Sequence, residues 1–298
     1  MKNVVIWGAG SVGKVLYDRI KGRENVLFFV DSNYKNRFEG VEIDVLAPAA
    51  LKERDFDVVY IATVSGLEAA YSQLIGYGVP ENKINRLYSE ILLPTYFGEN
   101  MGGWVRMRVQ FLKEFAVHAY DYGIEGSAAE VGVFKGDFAK EINMAFPDRR
   151  LFLFDTFEGF AERDLNHEKN VHSFSSQVVE MAETMNYFKE THTDIVLGKM
   201  LHPELCEIKK GYFPETFSDD IRNERFAFVS LDADLYQPIK AGLEIFYPLM
   251  SRGGVILVHD YFSVSFLGAA AAVNEFAAES DAVLLPIGDS MSVAIVKY

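Results

Sequence analysis

The stretch that most constrains the fold runs from Phe226 to Tyr261 and reads FAFVSLDADLYQPIKAGLEIFYPLMSRGGVILVHDY. It contains an apolar run, an amphipathic segment and, after Gly253 and Gly254, a second apolar run. Continuous apolar runs on either side of a helical pattern predict two buried strands of a parallel sheet that is covered on both faces. The fold class is therefore α/β.

Polar side chains follow both predicted strands. Asp232 comes after the first run, and His259 and Asp260 come after the second. Ligands of open parallel sheets bind beyond the carboxyl ends of the strands, so we expect these side chains to converge at a functional edge. They suit a divalent cation or the removal of a hydroxyl proton, with Asp232 and His259 as catalytic candidates. Aspartate after a strand also commonly caps a loop, and this interpretation stays open.

Length and composition bound the class of protein. The 298 residues exceed the usual size of one domain, which favours two, and 49% of them are hydrophobic, enough for well-buried cores. Without a long apolar run or a signal sequence at MKNVVIWGAG, we expect a cytoplasmic protein with no membrane contact. The single cysteine, Cys206, excludes an internal disulfide and is interpreted as a half-buried thiol. A net charge of −14, concentrated after residue 90, disfavours a nucleic-acid partner.

The first 90 residues carry a glycine turn between a predicted strand, VVIW, and a helix. Gly8, Gly10 and Gly13 have GxGxxG spacing, and a second apolar run ends at Asp31, near the position where an acid accepts hydrogen bonds from a ribose. Such glycines let a pyrophosphate approach a helix N-terminus, which predicts nucleotide binding. The alternative is that they serve only a tight turn and close helix packing.

Residues 1–90 resemble the small Rossmann-like domain at the front of sugar-modifying enzymes, including bacterial sugar N-acetyltransferases. The resemblance lies in VDSN, FEGVEIDVLAP, DVVYIAT and LIGYGVPENKI. It implies a domain, set at residues 1–92, that binds a dinucleotide, a nucleotide-sugar or nothing. Tyr17 and Lys21 have the Tyr-x-x-x-Lys spacing of a dehydrogenase but lie in the helix directly after the glycine turn, so we discount them. An NAD(P)-dependent oxidoreductase or epimerase remains an alternative function.

The segment from residue 91 to residue 125 is a transition into the second domain, which we set at residues 93–298. Pro and Gly residues come first, and a helix is predicted over Trp104–Tyr120. Arg106 and Arg108 are interpreted as solvated, and His118 as a residue without a ligand role. At the other end of this domain, MSVAIVKY alternates and predicts an edge strand.

The second domain opens with AAEVGVFKGDFAKEI, in which Glu130, Gly132 and Gly136 form an acidic-x-Gly-x-x-x-Gly turn. This opening resembles that of class I S-adenosylmethionine-dependent methyltransferases, which implies a glycine turn against the methionine part of the cofactor. The next strand ends at Asp155, placed to bind ribose hydroxyls, and Thr156 beside it completes the predicted cofactor-binding set. The alternative is that Asp155 only caps the following turn.

Four blocks in order, FDTFEGF, KKGYFPETF, VSLDADLYQPIKAGLEIFYPLMSRGGVILVHDY and GAAAAVNEF, resemble the macrocin-O-methyltransferase family over roughly residues 104–298. The resemblance implies a doubly wound class I methyltransferase fold and S-adenosylmethionine-dependent O-methylation of a sugar hydroxyl. It also implies a magnesium ion that holds vicinal hydroxyls, with Asp232 and Asp260 among its ligands. His259 stands where the family has an acid, which favours a different divalent ion, such as manganese or zinc, or a role as the base.

The whole chain is thus predicted to hold two Rossmann-like doubly wound domains in one enzyme. Its small-molecule acceptor is a sugar on a glycan, a nucleotide-sugar or a glycosylated natural product, and the first domain takes a nucleotide or nucleotide-sugar. From related methyltransferases we expect a homo-oligomer. A non-catalytic sugar-binding protein is the other alternative. A polar segment between residues 158 and 199, with a helix over 176–190, is expected to form a lid over the acceptor. Scattered histidines are usually surface residues, and we interpret His167 and His172 in this way; the alternative is that one of them supplies a base.

Overall fold

The computed structural model describes residues 1–32, 43–63, 66–86, 103–171, 186–189, 191–263 and 266–298. The chain forms two compact units, residues 1–100 and 101–298. The predicted boundary between residues 92 and 93 lies outside the described residues, as do His172 and most of the helix predicted over 176–190. Of the helices that the structure describes, none combines the length and the apolarity that crossing a bilayer requires.

The described strands of the first unit form a parallel sheet in the order β3-β2-β1-β4-β5. The elements, in chain order, are β1 (Asn3–Trp7), α1 (Ser11–Ile20), β2 (Asn25–Val30), β3 (Val45–Leu46), β4 (Val58–Ile61), α2 (Leu67–Gly76) and β5 (Ile84–Asn85). The strands predicted at VVIW, VLFFVD and DVVYIAT are confirmed as β1, β2 and β4. Central β1 is buried from Val4 to Trp7 because apolar side chains on both of its faces are covered. The finer Rossmann-like description of this unit stays a prediction.

The second unit is built on a seven-stranded sheet, counted over its described strands, in the order β11-β12-β10-β9-β6-β7-β8. Its elements, in chain order, are α3 (Gly103–Asp121), β6 (Ser127–Val131), α4 (Asp137–Ala145), β7 (Leu151–Asp155), α5 (Glu162–Val171), α6 (Thr193–Leu197), β8 (Cys206–Lys210), β9 (Phe226–Leu231), α7 (Tyr236–Phe246), β10 (Met250–Val258), α8 (Leu267–Glu279), β11 (Leu284–Pro286) and β12 (Val293–Val296). The strand–helix–strand prediction for residues 226–261 is confirmed by β9, α7 and β10.

The prediction that MSVAIVKY is an edge strand is wrong. Its strand, β12, lies between β10 and β11 and is antiparallel to both. Val293, Ala294 and Ile295 are all buried, so both faces of the strand are covered. The alternation of side chains along one strand carries no information about how many neighbours the strand has, and here β11 occupies the position that was predicted to be open.

Helix α3 confirms the predicted helix, but the interpretation of Arg108 as solvated is wrong. Arg108 is 6% exposed, whereas His118 on the same helix is exposed. Cys206 is a free, half-buried thiol as expected, and burial raises its pKa to about 11.

Aromatic packing fixes the sheet of the second unit beneath the strand ends. Phe246 on α7 contacts Phe226 of β9 edge to face, with centroids 5.0 Å apart, and Phe154 of β7 at 6.0 Å. Such pairs contribute about 0.5–1.5 kcal/mol each beyond the area they bury. The relative positions of β7 and β9 are therefore well determined, and so are the turns that follow them.

Candidate active site

Three polar side chains meet where β9 and β10 end. Nδ1 of His259 lies 3.0 Å from Oδ1 of Asp232 and 2.8 Å from Oδ2 of Asp260. The strands are adjacent and parallel, and Leu231 pairs with Val258, so the residues that follow each strand must come together. The structure thus brings together all the side chains predicted as catalytic residues or metal ligands.

Arg108 reaches this cluster from α3, 124 positions earlier in the chain than Asp232. One guanidinium nitrogen donates to Oδ2 of Asp232 at 2.8 Å, and another donates to Oγ of Ser230 at 3.0 Å. The guanidinium also lies 3.8 Å from the ring centroid of Phe138. A buried arginine in these contacts fixes both the position and the charge of Asp232.

Charge separates the roles of Asp232 and His259. Burial opposes ionisation of Asp232, but the positive charges of Arg108 and His259 outweigh it and hold the pKa of that carboxyl well below its usual range. Burial alone would lower the pKa of His259, but the charge of Asp232 and hydrogen bonds to Asp232 and Asp260 raise it to about 9. At neutral pH His259 is an imidazolium, which donates hydrogen bonds and has no lone pair with which to accept a proton.

Two further acids adjoin the cluster. Glu130 at the end of β6 is 1% exposed, and burial raises its pKa well above the usual range. Asp234 has a left-handed φ of 61°, and burial, with the nearby charges of Asp260 and Asp232, raises its pKa well above the usual range as well. Asp234 was not among the predicted site residues, although its spacing from Asp232 in the segment DAD was a usable signal.

Two cavities meet at this cluster. We call the first the donor cavity: it extends past the ends of β6, β7 and β9, and its lining includes Asp155, Thr156 and Tyr212. The second, the acceptor cavity, measures about 870 Å³, and its lining includes His259 and Asp260. Both cavities are lined by Gly132, Phe134, Phe188, Asp232 and Asp234. A group held at the end of one cavity is therefore adjacent to a group held in the other.

The turn after β6 requires glycine for a steric reason. Gly132 has a φ of 85°, and a Cβ there would lie 2.1 Å from the carbonyl oxygen of Asp232. Only glycine allows the ends of β6 and β9 to approach this closely. Gly136 follows with a φ of 78° and is the N-cap of α4.

Asp155 holds this turn in place. Its Oδ2 accepts hydrogen bonds from the backbone N–H groups of Val133 at 2.7 Å and Phe134 at 2.8 Å, and its Oδ1 accepts one from Phe157 at 2.7 Å. A carboxylate has about four acceptor positions, so these bonds use most of them. Thr156 fastens the next turn by donating to the carbonyl of Gly159 at 2.6 Å. Asp155 therefore caps the turns, as the alternative interpretation expected. Its contact with a ribose stays a prediction.

In the first unit, the glycines differ in what surrounds them. A Cβ on Gly8 would lie 2.3 Å from the carbonyl oxygen of Ala62, and one on Gly13 would lie 1.9 Å from that of Gly8, so both serve close packing. A Cβ on Gly10 would meet nothing within 4 Å among the described residues. Asp31, the predicted ribose ligand, accepts a hydrogen bond from the backbone N–H of Ala9 at 2.7 Å.

His167 does not belong to the cluster of Asp232, His259 and Asp260. Its ring stacks on Tyr236 with centroids 5.1 Å apart, and its Nδ1 lies 3.1 Å from the amide nitrogen of Gln237. It lines a different cavity, behind the donor cavity. In the first unit, Lys21, which follows α1, bonds Asp18 at 2.7 Å on the exposed surface, and its Nζ lies 5.5 Å from the ring centroid of Tyr17.

Comparison with known proteins gives a match to each unit. The family described as Macrocin-O-methyltransferase (TylF) matches residues 92–291, and the one described as C2185-like, N-terminal, matches residues 1–85. The solved structure of the O-methyltransferase NovP superposes with a TM-score of 0.54 at 20% identity, over 64% of this chain and 80% of that chain. At this identity the likeness shows the fold alone.

Two curated proteins are similar in sequence. One is the 8-demethyl-8-(2,3-dimethoxy-alpha-L-rhamnosyl)-tetracenomycin-C 4'-O-methyltransferase of Streptomyces olivaceus, 26% identical over 152 residues, covering 47% of this chain and 54% of that protein. The other is the mycinamicin III 3''-O-methyltransferase of Micromonospora griseorubida, 26% identical over 167 residues, covering 52% and 62% respectively. The chain thus spans little more than half the length of these relatives.

Proposed function

Since the chain belongs to the macrocin-O-methyltransferase family, matched over residues 92–291, we propose that it is an S-adenosylmethionine-dependent O-methyltransferase acting on a sugar hydroxyl. The observation that carries the proposal is the meeting of the donor and acceptor cavities at Gly132, Asp232 and Asp234. The names of both curated relatives support it, because each describes O-methylation and one names a rhamnosyl group.

Methyl transfer needs alignment more than covalent help. The sulfonium of S-adenosylmethionine is an activated donor, so the protein must hold the acceptor oxygen in line with the methyl group and remove its proton. In the proposed arrangement the sulfonium lies at the shared end of the donor cavity, beside Gly132. The sugar enters the acceptor cavity, whose volume of about 870 Å³ suits a ligand of several rings.

We assign the proton to Asp234. It lines both cavities, so in the proposed arrangement its carboxylate adjoins both the methyl donor and the acceptor hydroxyl whose proton must be removed. His259 is cationic at neutral pH and so acts as a hydrogen-bond donor rather than as the base. Asp232, kept ionised by Arg108, accepts a hydrogen bond from the acceptor and fixes its direction.

The cluster also fits a divalent cation. Ligands at right angles in an octahedron with bonds of roughly 2.1 Å lie about 3 Å apart, and Nδ1 of His259 lies 3.0 Å and 2.8 Å from oxygens of Asp232 and Asp260. These residues would hold the ion, which would lower the pKa of a bound hydroxyl. The imidazole must lose its proton to bind a metal, and it favours manganese or zinc over magnesium.

For the first unit we propose a nucleotide or nucleotide-sugar ligand at the turn before α1. The support is that Gly10, unlike Gly8 and Gly13, leaves open space beside its α-carbon among the described residues. Calorimetry with NAD, UDP and a dTDP-sugar tests this, with Gly10→Val as the variant that fills the space. Equal binding by the parent and the variant, or none by the parent, would reject the ligand site.

The central proposal is tested by calorimetric titration with S-adenosylhomocysteine and by methyl transfer to a panel of deoxyhexose glycosides and nucleotide-sugars, followed by mass spectrometry. We expect the parent to bind the cofactor product, and Asp234→Asn to keep that binding within about threefold while transfer falls by 10²-fold or more. Asp220→Asn, on the exposed surface, is the control and should behave as the parent. Absence of binding by the parent chain would reject the methyltransferase proposal.

A further inference from the structure

A pair of polar side chains lines the donor cavity away from the residues that it shares with the acceptor cavity. Asp164 on α5 and Tyr212 after β8 both line the cavity there. The Tyr212 hydroxyl donates to Oδ1 of Asp164. Asp164 is 6% exposed, so a buried carboxylate faces a cavity whose other walls at this end include the apolar side chains of Phe160 and Phe213.

The order of residues along the cavity sets which part of a cofactor reaches this end. The shared end, at Asp232 and Asp234, adjoins the acceptor cavity, so the sulfonium must lie there. Asp155 and Thr156 follow, beside the ribose. The adenine, joined to the other side of the ribose, then extends toward Asp164 and Tyr212. This step rests on the proposed function, because it takes the donor cavity as the site of S-adenosylmethionine.

We propose that Asp164 recognises the exocyclic amino group of the adenine. Its Oδ2 accepts a hydrogen bond from that amino group, while Tyr212 holds Oδ1 and so fixes the plane of the carboxylate. A carboxylate is an acceptor only and the amino group is a donor only, so the pair is complementary. A hypoxanthine ring presents a carbonyl oxygen at the same position, and the carboxylate repels it.

The surroundings of Asp164 hold its carboxylate in one position, unlike that of an acid on the protein surface. Arg163 forms a two-pronged ion pair with Glu215, at 2.7 and 2.9 Å, and its guanidinium lies 3.0 Å from the ring centroid of Tyr212. Behind the pair is another cavity of about 340 Å³, also lined by Asp164 and Tyr212. The pair therefore forms a wall between two cavities, and the carboxylate has little freedom to move.

The test compares S-adenosylhomocysteine with its deaminated analogue S-inosylhomocysteine by calorimetry on the full chain. The parent is expected to prefer the adenine compound. In Asp164→Asn the acceptor is neutral and the new amide N–H can donate to the hypoxanthine carbonyl, so the affinity ratio of the two compounds should fall by about tenfold to a hundredfold. Binding of S-inosylhomocysteine by this variant also demonstrates that it is folded.

Two further variants separate recognition from local damage. Asp220→Asn is the control: Asp220 is exposed and does not line the donor cavity, so this variant should leave the ratio unchanged. Tyr212→Phe keeps the carboxylate but removes the hydroxyl that orients it, and should weaken S-adenosylhomocysteine severalfold with no gain for the inosyl compound. A parent-like ratio in Asp164→Asn would overturn the adenine assignment alone, with cofactor binding intact. A parent that binds neither compound would overturn this inference and the proposed function together.

Discussion

Replacing Gly132 by alanine perturbs the point where the two cavities meet. A non-glycine residue in the left-handed region costs about 1–2 kcal/mol. The new Cβ would also lie 2.1 Å from the carbonyl oxygen of Asp232, so the ends of β6 and β9 must separate by roughly 1 Å, and overpacking of this kind costs about 1–3 kcal/mol. The sum, about 2–5 kcal/mol, is a large part of a typical stability of about 5–15 kcal/mol.

The assay is urea unfolding followed by fluorescence, together with calorimetric titration with S-adenosylhomocysteine. We expect Gly132→Ala to unfold at lower urea. We also expect it to lose at least tenfold in affinity for S-adenosylhomocysteine, because the displaced turn lines the donor cavity. Gly10→Ala is the matched control: its φ is −100° and its Cβ would meet no described atom within 4 Å, so both readouts should stay near those of the parent. A Gly132→Ala protein with the midpoint and affinity of the parent would refute the steric argument.

Three other predictions concern charge and the turn after β6. Because the pKa of His259 is raised from 6.5 to about 9, its ionic contacts add about 3 kcal/mol of stability, which is complete below pH 6.5 and is lost as the pH rises through 9. Urea unfolding at pH 6 and pH 10 measures this loss of stability. The variant His259→Asn should remove most of the difference in stability between the two pH values. Asp155→Ala removes the acceptor of three backbone N–H groups and should weaken S-adenosylhomocysteine binding more than tenfold, whereas Asp31→Ala in the first unit should leave it unchanged. After dialysis against EDTA, calorimetry should give tighter binding of Mn²⁺ than of Mg²⁺, and His259→Asp should reduce that preference. An equal preference in the parent and the variant would contradict the assignment of His259 as a metal ligand.

The cluster of Asp232, His259 and Asp260 was predictable because its geometry follows from chain topology. Asp232, His259 and Asp260 each come directly after a buried run, and adjacent parallel strands end at the same edge. Their charge states were not predictable, because the pKa of His259 depends on two carboxylates whose distances only the fold sets. The role of His259 as a base was a reasonable expectation from its ordinary pKa, and the structure favours a donor.

The burial of Arg108 could have been predicted from its position on α3. Counted along α3, Arg108 shares a helix face with Leu112, Phe115 and Ala119, all of them buried. A charged residue on the buried stripe of a helix needs a partner of opposite charge, so the pattern already indicated an internal ion pair. What it could not indicate was the partner, Asp232, which lies far away in sequence on another element.

For Asp31 and Asp155, which lie at the ends of strands, the sequence does not distinguish a ribose ligand from a residue that stabilises a turn. Asp31 and Asp155 each accept a hydrogen bond from a backbone N–H 22 residues earlier, in the turn after the first strand of their unit. The spacing that indicates a ribose ligand also suits an acid that fastens the glycine turn. Sequence spacing alone does not separate these uses, because both place a carboxylate at the same distance from the same backbone.

The position of β12 has a consequence for biosynthesis. As a nascent chain leaves the ribosome, β6 to β10 can pair in the order in which they emerge, but the free side of β10 stays uncovered until Val293–Val296 arrive and insert between it and β11. During that interval β10 offers unpaired N–H and C=O groups beside the apolar side chains of Val255 and Leu257, which is a template for pairing with another chain. A product halted before residue 293 is therefore expected to accumulate in inclusion bodies, although most of its sheet is already encoded.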